Sequence, residues 1–495
     1  MKIRAIGLRD FRAFPSDYRF DFGDRNLALY GENGCGKSSL FHAFVEFFDL
    51  HRKATPFAEF RNIFIDPPST DGHVTVEFSE GLPAVWSFGA PRPSGDTRVQ
   101  QTALRVGCID YRALLRTHFV HLDAKVNLFS LIVGDLLGNY PILLPGGRPS
   151  TIRESWRQVE SSKPRTRHRS NLRLAHSSVS VFNDAVRQEL PKLAAKASDL
   201  LAIFPNCKKM VLQFDFPGLL CDEGLKEFIR KEINLQVSFD GKILTGHHFL
   251  MNEARLSAIA LALYFAGLLV SIPAPLPNAP QFPKILVLDD VLIGLDMSNR
   301  IPVLDLLEQL FADWQILLMT HDKVWNEIVR LRTQGKSWHY DELYVGEAQG
   351  GGEVPIHKPD GKGWGDYLAR ARDHLALSDE RAAAVYARAA FESKIMRYCE
   401  KKKAKVEYHS DPRRIGAQVF WDALKKVVNE ELSKTPTTDT KRPALIAIQA
   451  GFAGIEVYRK IVLNPLSHSA AASIARAEIQ GAIDAIDNFG KLLDG

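Results

Sequence analysis

The sequence predicts an α/β fold built around a phosphate-binding loop, with a helical insertion and a C-terminal all-α domain. Three observations carry that reading. The stretch Gly31-Glu32-Asn33-Gly34-Cys35-Gly36-Lys37-Ser38 follows the apolar run NLALYG and precedes the helix-period pattern LFHAFVEFF. That is the strand–loop–helix context such a loop requires. KILVLDD and QILLMTHD are short continuous apolar runs ending in polar residues, the pattern of strands covered on both faces. Residues 364–495 show helix periodicity alone.

The elements follow in order. KIRAIGL and YRFDFG alternate as strands, NLALYG is a short buried strand, and LFHAFVEFF is the helix behind the loop. HVTVEF, AVWSF and TALRVGCI predict further short strands within 73–120, before YRALLRTHF. From about 125 to 235 the chain becomes mostly helical and polar, broken by LLPGGRPS near 143–150. An apolar helix, Leu256 to Ile272, is followed by the breaker PAPLPNAPQFP. Residues 300–346 alternate helix, strand, helix and strand, and the glycine-rich segment 347–363 reads as a linker. The expected organisation is an N-terminal lobe over 1–120, an insertion over 121–240, a C-terminal lobe over 241–346, the linker, and a helical domain over 364–495. No internal repeat is evident.

Composition bounds the class. With 495 residues, 45% hydrophobic and 24% charged, the chain is ordinary globular material, and collagen-like, disulfide-scaffold and wholly disordered readings are excluded. A net charge of +5 places any nucleic-acid surface in local clusters, not in bulk charge. The five cysteines are scattered with no CxxC pair, which argues against a zinc hook, a zinc ribbon or a disulfide framework and for a reducing compartment. MKIRAIGLRDF lacks the features of a signal peptide. The Leu256–Ile272 stretch falls short of the ~20 residues a membrane span needs and reads as a buried core helix. The expectation is a cytoplasmic protein without a membrane partner.

The loop residues Gly31, Asn33, Gly34, Gly36, Lys37, Ser38 and Ser39 are the expected nucleotide contacts. Glycines let backbone N–H groups wrap phosphate oxygens at a helix N-terminus. Lys37 would reach the β- and γ-phosphates, and Ser38 would ligate Mg²⁺. Asp289, ending ILVLD, fits the second carboxylate at the metal, and Asp290 the group that orients or deprotonates attacking water. Two adjacent acids at a strand end can also be a capped turn. His321, ending the next apolar strand, would sense or stabilise the γ-phosphate at the ligand-binding edge of the sheet.

Together these residues resemble the ABC-type ATPases of the SMC/RecF superfamily. The resemblance covers about 1–120 and 245–346: IRAIGLRDFRAF, LALYGENGCGKSSL, ILVLDD, the GLD at Gly294–Asp296, and MTHD. It implies an ABC-type P-loop head that uses ATP and Mg²⁺ and hydrolyses ATP, with Arg9, Arg12 and Asp296 among the nucleotide contacts. It also implies two heads sandwiching ATP, as a homodimer or higher homo-oligomer, through a signature motif. Here that stretch reads Phe249-Leu-Met-Asn-Glu253-Ala-Arg255, with Leu250 and Met251 where the family has serine and glycine. Asn252, Glu253 and Arg255 are the candidates for contacts across the dimer. Only about 110 residues separate the two lobes, without sustained heptads, so a long-armed tether is not expected. DDVLIGLDMSNR and NEARLSAIALAL look more like ATPases of bacterial anti-phage systems. The comparison is the Septu-type ATPase beside an HNH nuclease, found also with retrons and hence with a reverse transcriptase and its noncoding RNA. Anticodon nucleases, which fuse such a head to an RNase, are the other comparison.

Two readings of the C-terminal domain stay open. Arg388 and Glu392 at i and i+4, with a distant His468 in LNPLSHS, resemble the constellation of HEPN-like RNases. His468 would then be general acid or base, Arg388 would stabilise charge on phosphorus, and Glu392 would orient Arg388. The same residues are equally an intrahelical ion pair and helix caps of a docking domain. Two cationic clusters offer DNA or RNA contact: Lys163, Arg165, Arg167, Arg169 and Arg173, and Arg397, Lys401, Lys402, Lys403, Lys405, Arg413 and Arg414. Either can equally be a solvated face. The sequence contains no HNH cluster. The functional expectations are therefore a regulatory ATPase that controls a partner nuclease, a self-contained ATP-gated RNase, or a RecF-like DNA repair ATPase.

Overall fold

A computed structural model describes residues 1–50, 55–65, 70–118, 126–144, 146–164, 169–272, 281–347, 353–359, 364–406, 416–459 and 476–494. The chain divides into two compact units, Met1–Pro359 and Asp360–Gly495.

The first unit is mixed α/β. Its central sheet has six strands in the order Glu353–Pro359, Trp338–Glu347, Asn26–Gly31, Gln315–Thr320, Ile285–Asp289, Val106–Asp110. The inner pairs are parallel, and Glu353–Pro359 adds antiparallel to the edge. The continuous apolar runs follow from burial on both faces. Ile285, Val287, Leu317 and Met319 enter one core, while Leu286, Leu288, Ile316 and Leu318 enter the other. Because side chains alternate with period two, no position in these strands is left for water.

The first of these cores lies under a second, antiparallel sheet ordered Tyr18–Asp21, Ile3–Arg9, His73–Phe78, Ala84–Ser87. The helix Lys37–Phe48 buries Phe41, Phe44, Phe47 and Phe48 there. Phe11, Phe57, Phe60 and Trp86 form an aromatic cluster with ring centroids 5.1–6.2 Å apart. The second core holds the helix Glu253–Ser271. Among the described residues it is the one helix long and apolar enough to cross a membrane, and 72% of its most apolar window is buried inside the unit. The core-helix reading of that stretch agrees with this placement.

The insertion is not simply helical. The helix Ile152–Ser161 starts at a capping box, Thr151 with Glu154. Arg169–Leu201 runs 33 residues, about 50 Å at 1.5 Å per residue. Before them stands a hairpin of Pro141–Leu144 with Arg148–Thr151, and after them a sheet ordered Lys242–Leu244, Asn234–Phe239, Met210–Asp215. A second hairpin pairs Leu220–Asp222 with Glu227–Ile229. These strands are short and half exposed, with alternation too brief to stand out from a polar helix in sequence.

The expected linker is likewise corrected. Glu353–Pro359 is a strand of the central sheet, paired from Glu347↔Glu353 to Asp341↔Pro359. Its two prolines read as loop in sequence, but an edge strand tolerates them.

Among its described residues the second unit is all-α, with helices Trp364–Ala376, Glu380–Lys401, Ala417–Lys434, Arg442–Tyr458 and Arg476–Asp494. Phe391, Trp421, Leu424, Ile483 and Phe489 lie in its core. The buried Lys394 ammonium pairs with Asp494 at 2.5 Å and lies 4.5 Å from the Trp364 ring centre, tying the last helix to the first.

Candidate nucleotide site

The parallel register brings the chemistry to one sheet edge. Asp289 pairs with Met319 and with Asp110, while Thr320 pairs with Tyr30. The strand ends at Gly31, Asp110, Asp289 and Thr320 therefore share the carboxyl edge, where α/β sheets bind ligands.

The loop between Gly31 and Lys37 depends on glycine at defined points. Gly34 and Gly36 have φ of 87° and 103°, values that side chains resist. A Cβ on Gly31 would lie 2.5 Å from Cys35 Sγ and 3.0 Å from Lys37 Cγ. Lys37 is 5% exposed. Its Nζ donates to the carbonyls of Gly31 at 2.6 Å and Glu32 at 3.0 Å, and lies 3.9 Å from Asp290 Oδ2. Ser38 Oγ donates to Asp289 Oδ2 at 2.8 Å. Asn33 is exposed on the loop, and Ser39 Oγ accepts the Ala13 N–H at 3.3 Å.

Asp289 is buried, and its Oδ1 has no hydrogen-bond partner among the described residues. Burial pushes its carboxyl up to about 6, against the Ser38 hydrogen bond and with the help of the neighbouring Asp290. A buried carboxylate with one satisfied oxygen and one orphan is a site short of positive charge. Together with Ser38 Oγ its oxygens are of the kind that could hold a divalent cation.

Asp290 sits at φ 52°. Its Oδ1 accepts both the His321 backbone N–H and a hydrogen bond with His321 Nδ1, each at 2.9 Å. With Nδ1 bonded to the carboxylate, Nε2 is the ring nitrogen left for a ligand.

The other expected contacts divide. Arg12 is held beside the loop by its backbone, which bonds Phe60 O and the Asn62 side chain. Burial lowers its guanidinium pKa, Glu46 raises it and Arg112 lowers it again. Arg9 is turned to Asp17 at 2.6 Å on the surface. Asp296 caps the helix Met297–Leu310, accepting from Asn299 N and Ser298 Oγ. Asn252 caps the helix Glu253–Ser271 through Arg255 N, Glu253 lies 3.4 Å from the Tyr111 hydroxyl, and Arg255 packs over Phe239. These three stand at the start of a helix, with Asn252 and Glu253 exposed.

Sequence reading missed two groups. Asp110 places a third carboxylate beside Asp289 and caps the helix Tyr111–Leu115 through Ala113 N. Its signal was an apolar strand ending in Asp, the same form as ILVLD. Arg300 donates to Leu295 O at 2.8 Å and to Asp322 at 2.5 Å, joining the GLD turn to the His321 strand end. Only the fold brings those segments together.

In the second unit Arg388 Nε donates to Glu392 Oε1 at 2.7 Å within one helix. His468, with Asn464, lies outside the described residues, as do Arg165, Arg167, Arg413 and Arg414. Of the cationic clusters, Lys163 pairs with Glu227 at 2.9 Å and Lys402 with Glu431 at 2.7 Å. Arg173, Arg397, Lys401, Lys403 and Lys405 are exposed.

No family model matches the chain, and no curated protein matches it. Among solved structures it is similar to an SMC head bound to the C-winged helix domain of ScpA, at 15% identity over 73% of this chain and 99% of that one, TM-score 0.42. The SMC head domain from Thermotoga maritima matches at 15% identity over 72% and 99%, TM-score 0.35. The recombination mediator RecF with ATP matches at 12% identity over 69% and 95%, TM-score 0.42. Likenesses of this strength identify no family.

Proposed function

We propose that this chain is an ATP-binding and ATP-hydrolysing regulatory subunit that pairs through its heads and controls a partner nuclease in a bacterial anti-phage system. The convergence of Lys37, Ser38, Asp289, Asp290 and His321 at one sheet edge carries the ATPase part. The nucleotide would displace the Gly31 and Glu32 carbonyls from Lys37 Nζ and take its donors for the β- and γ-phosphates. Ser38 and Asp289 would hold Mg²⁺, which neutralises charge on the phosphate oxygens. Asp290 accepts the proton of the attacking water, and His321 Nε2 meets the γ-phosphate, oriented through Nδ1.

Pairing of heads is supported by the helix start at Asn252, where Phe249 and Leu250 are 52% and 60% exposed just before the polar residues. A second head would cover that surface. The nuclease partner and the defence role rest on the resemblance of DDVLIGLDMSNR and NEARLSAIALAL. An HNH enzyme, with a reverse transcriptase and noncoding RNA in a retron setting, is the partner this implies.

The test incubates the purified chain with ATP, bulk tRNA and duplex DNA, beside Lys37→Ala and His468→Ala. Turnover of ATP that Lys37→Ala abolishes, with neither nucleic acid cut, is the expected result. Cleavage of tRNA by wild type but not by His468→Ala would replace this reading with the self-contained RNase. Hydrolysis that depends on duplex DNA would favour the repair ATPase.

A further inference from the structure

The strand Val106–Asp110 ends the central sheet, and among the described residues it is paired on one side only, to Ile285–Asp289. The Ile285 N–H donates to Arg105 O at 3.0 Å, which fixes the phase of the ladder. Successive residues of a paired strand turn their backbone groups to opposite sides. Arg105, Gly107 and Ile109 therefore face Ile285–Asp289, and the N–H and C=O of Val106 and Cys108 point off the sheet.

A cavity of about 430 Å³ lies along that edge, lined by Val106, Gly107, Cys108 and Ile109. Val45 and Phe48 wall it from the core on one face of the sheet, and Leu136 and Leu268 from the core on the other. Walls from both faces put the space beyond the strand's edge and not over its face. Ala113 and Arg116, from the helical turn that follows Asp110, close it across the strand's end. So enclosed, it suits a compact ligand and not a continuing strand.

The described lining includes three guanidiniums, Arg116, Arg153 and Arg157, against two carboxylates, Asp49 and Asp135, a net positive charge. Arg116 pairs with Asp135 at 2.5 Å. Arg153 donates to Gly134 O at 3.1 Å and to Asn139 Oδ1 at 2.7 Å. Both are thus held in place before a ligand arrives. Arg157 follows Arg153 by one turn on the helix Ile152–Ser161 and shares its face. Guanidinium forks match phosphate oxygens.

The geometry points to a second ligand site in this cavity, for a nucleoside monophosphate. The Val106 carbonyl and the Cys108 N–H stand as acceptor and donor on one side of the strand, the complement of the adjacent donor and acceptor on a nucleobase edge. A base bonded edge-on to the strand lies in the plane of the sheet, so its two faces meet the apolar walls from the two cores. The guanidiniums take the phosphate. Small-molecule pockets of about 300–1,000 Å³ combine an apolar lining with a few placed polar groups in this way. Residues 31–39 are not part of the lining, so the site is separate from the loop at Lys37.

The test titrates AMP, GMP, CMP and UMP calorimetrically into wild type and Lys37→Ala, with hydrogen–deuterium exchange by mass spectrometry on the same samples. At least one monophosphate is expected to bind both proteins alike and to slow exchange over 106–110. Arg157→Glu, at an exposed position, is expected to weaken that binding about 10-fold or more with its thermal melt unchanged. Arg157→Ala takes its place if the charge reversal does not fold. Failure of all four to bind overturns the inference. So does binding that Lys37→Ala abolishes, which belongs to the loop, or binding at wild-type affinity in the Arg157 variant. The ATPase reading is judged separately, by ATP turnover.

Discussion

Asp290 Oδ1 accepts two hydrogen bonds from one residue, the backbone N–H and the Nδ1 position of His321, both at 2.9 Å. The acid and the histidine are therefore one unit, and their contributions to turnover should not add. Asp290→Asn is expected to lower kcat about 100-fold or more while ATP still binds, as loss of a general base does. His321→Ala should cost less, and the double variant should be little worse than Asp290→Asn alone. Steady-state kinetics of the three variants checks this, and a multiplicative loss would separate the two residues.

Lys37 is buried against two carbonyls that a phosphate would replace. Charge-assisted hydrogen bonds contribute about 1.5–3 kcal/mol each. Lys37→Ala should therefore weaken ATP binding by about 10- to 100-fold, measured by calorimetry, while the protein without nucleotide stays folded.

The Asp289 carboxyl is raised by burial to about 6, so its contribution to stability is present below its ordinary pKa and is lost as pH rises through 6. Asp289→Asn should thus stabilise the nucleotide-free protein at pH 7.5 by at most about 3 kcal/mol, with the gain fading toward pH 4. Added Mg²⁺ should stabilise wild type and not the variant. Thermal melts across pH read both effects.

Asp341 titrates with the opposite sign. Burial alone would raise its carboxyl, but hydrogen bonds from His339 and His357 bring it down to about 2. Its contribution is present above the ordinary carboxylate pKa and is lost as pH falls toward 2. Asp341→Asn should cost about 2 kcal/mol at neutral pH, shown as a lower Tm, and the deficit should shrink in acid. The loss should be accompanied by faster exchange over 353–359, because the His357 side chain ties that strand to the Asp341 carboxylate.

Arg300 ties Leu295 O to Asp322, one residue from His321. Arg300→Ala is expected to lower kcat with little change in KM, since its bond to Asp322 holds the segment that carries His321. A rise in KM with kcat held would show instead that the nucleotide pocket depends on it.

Much of this site was legible in one dimension. GENGCGKS needs only its own glycines and the strand and helix on either side, and ILVLDD and QILLMTHD announce buried strands by their unbroken apolar runs. The alternating small strands of the insertion were not legible, since Met210–Asp215 and Asn234–Phe239 are short and half exposed. Glu353–Pro359 was hidden for another reason. Glycine and proline mark loops, and nothing local says that a proline-bearing segment has a sheet edge waiting for it.

By itself the sequence determined the glycine loop from Gly31 to Lys37, the acidic strand end, the histidine after the next strand, and the helical character of the described residues beyond 364, because each is written in neighbouring residues and their period. Tertiary structure alone decided the rest. It set Asp110 beside Asp289, Arg300 across to Asp322, and Arg9 onto Asp17. Those relationships join separate segments of the chain. Strand order and register place them, and a local pattern carries no record of which strands will lie side by side.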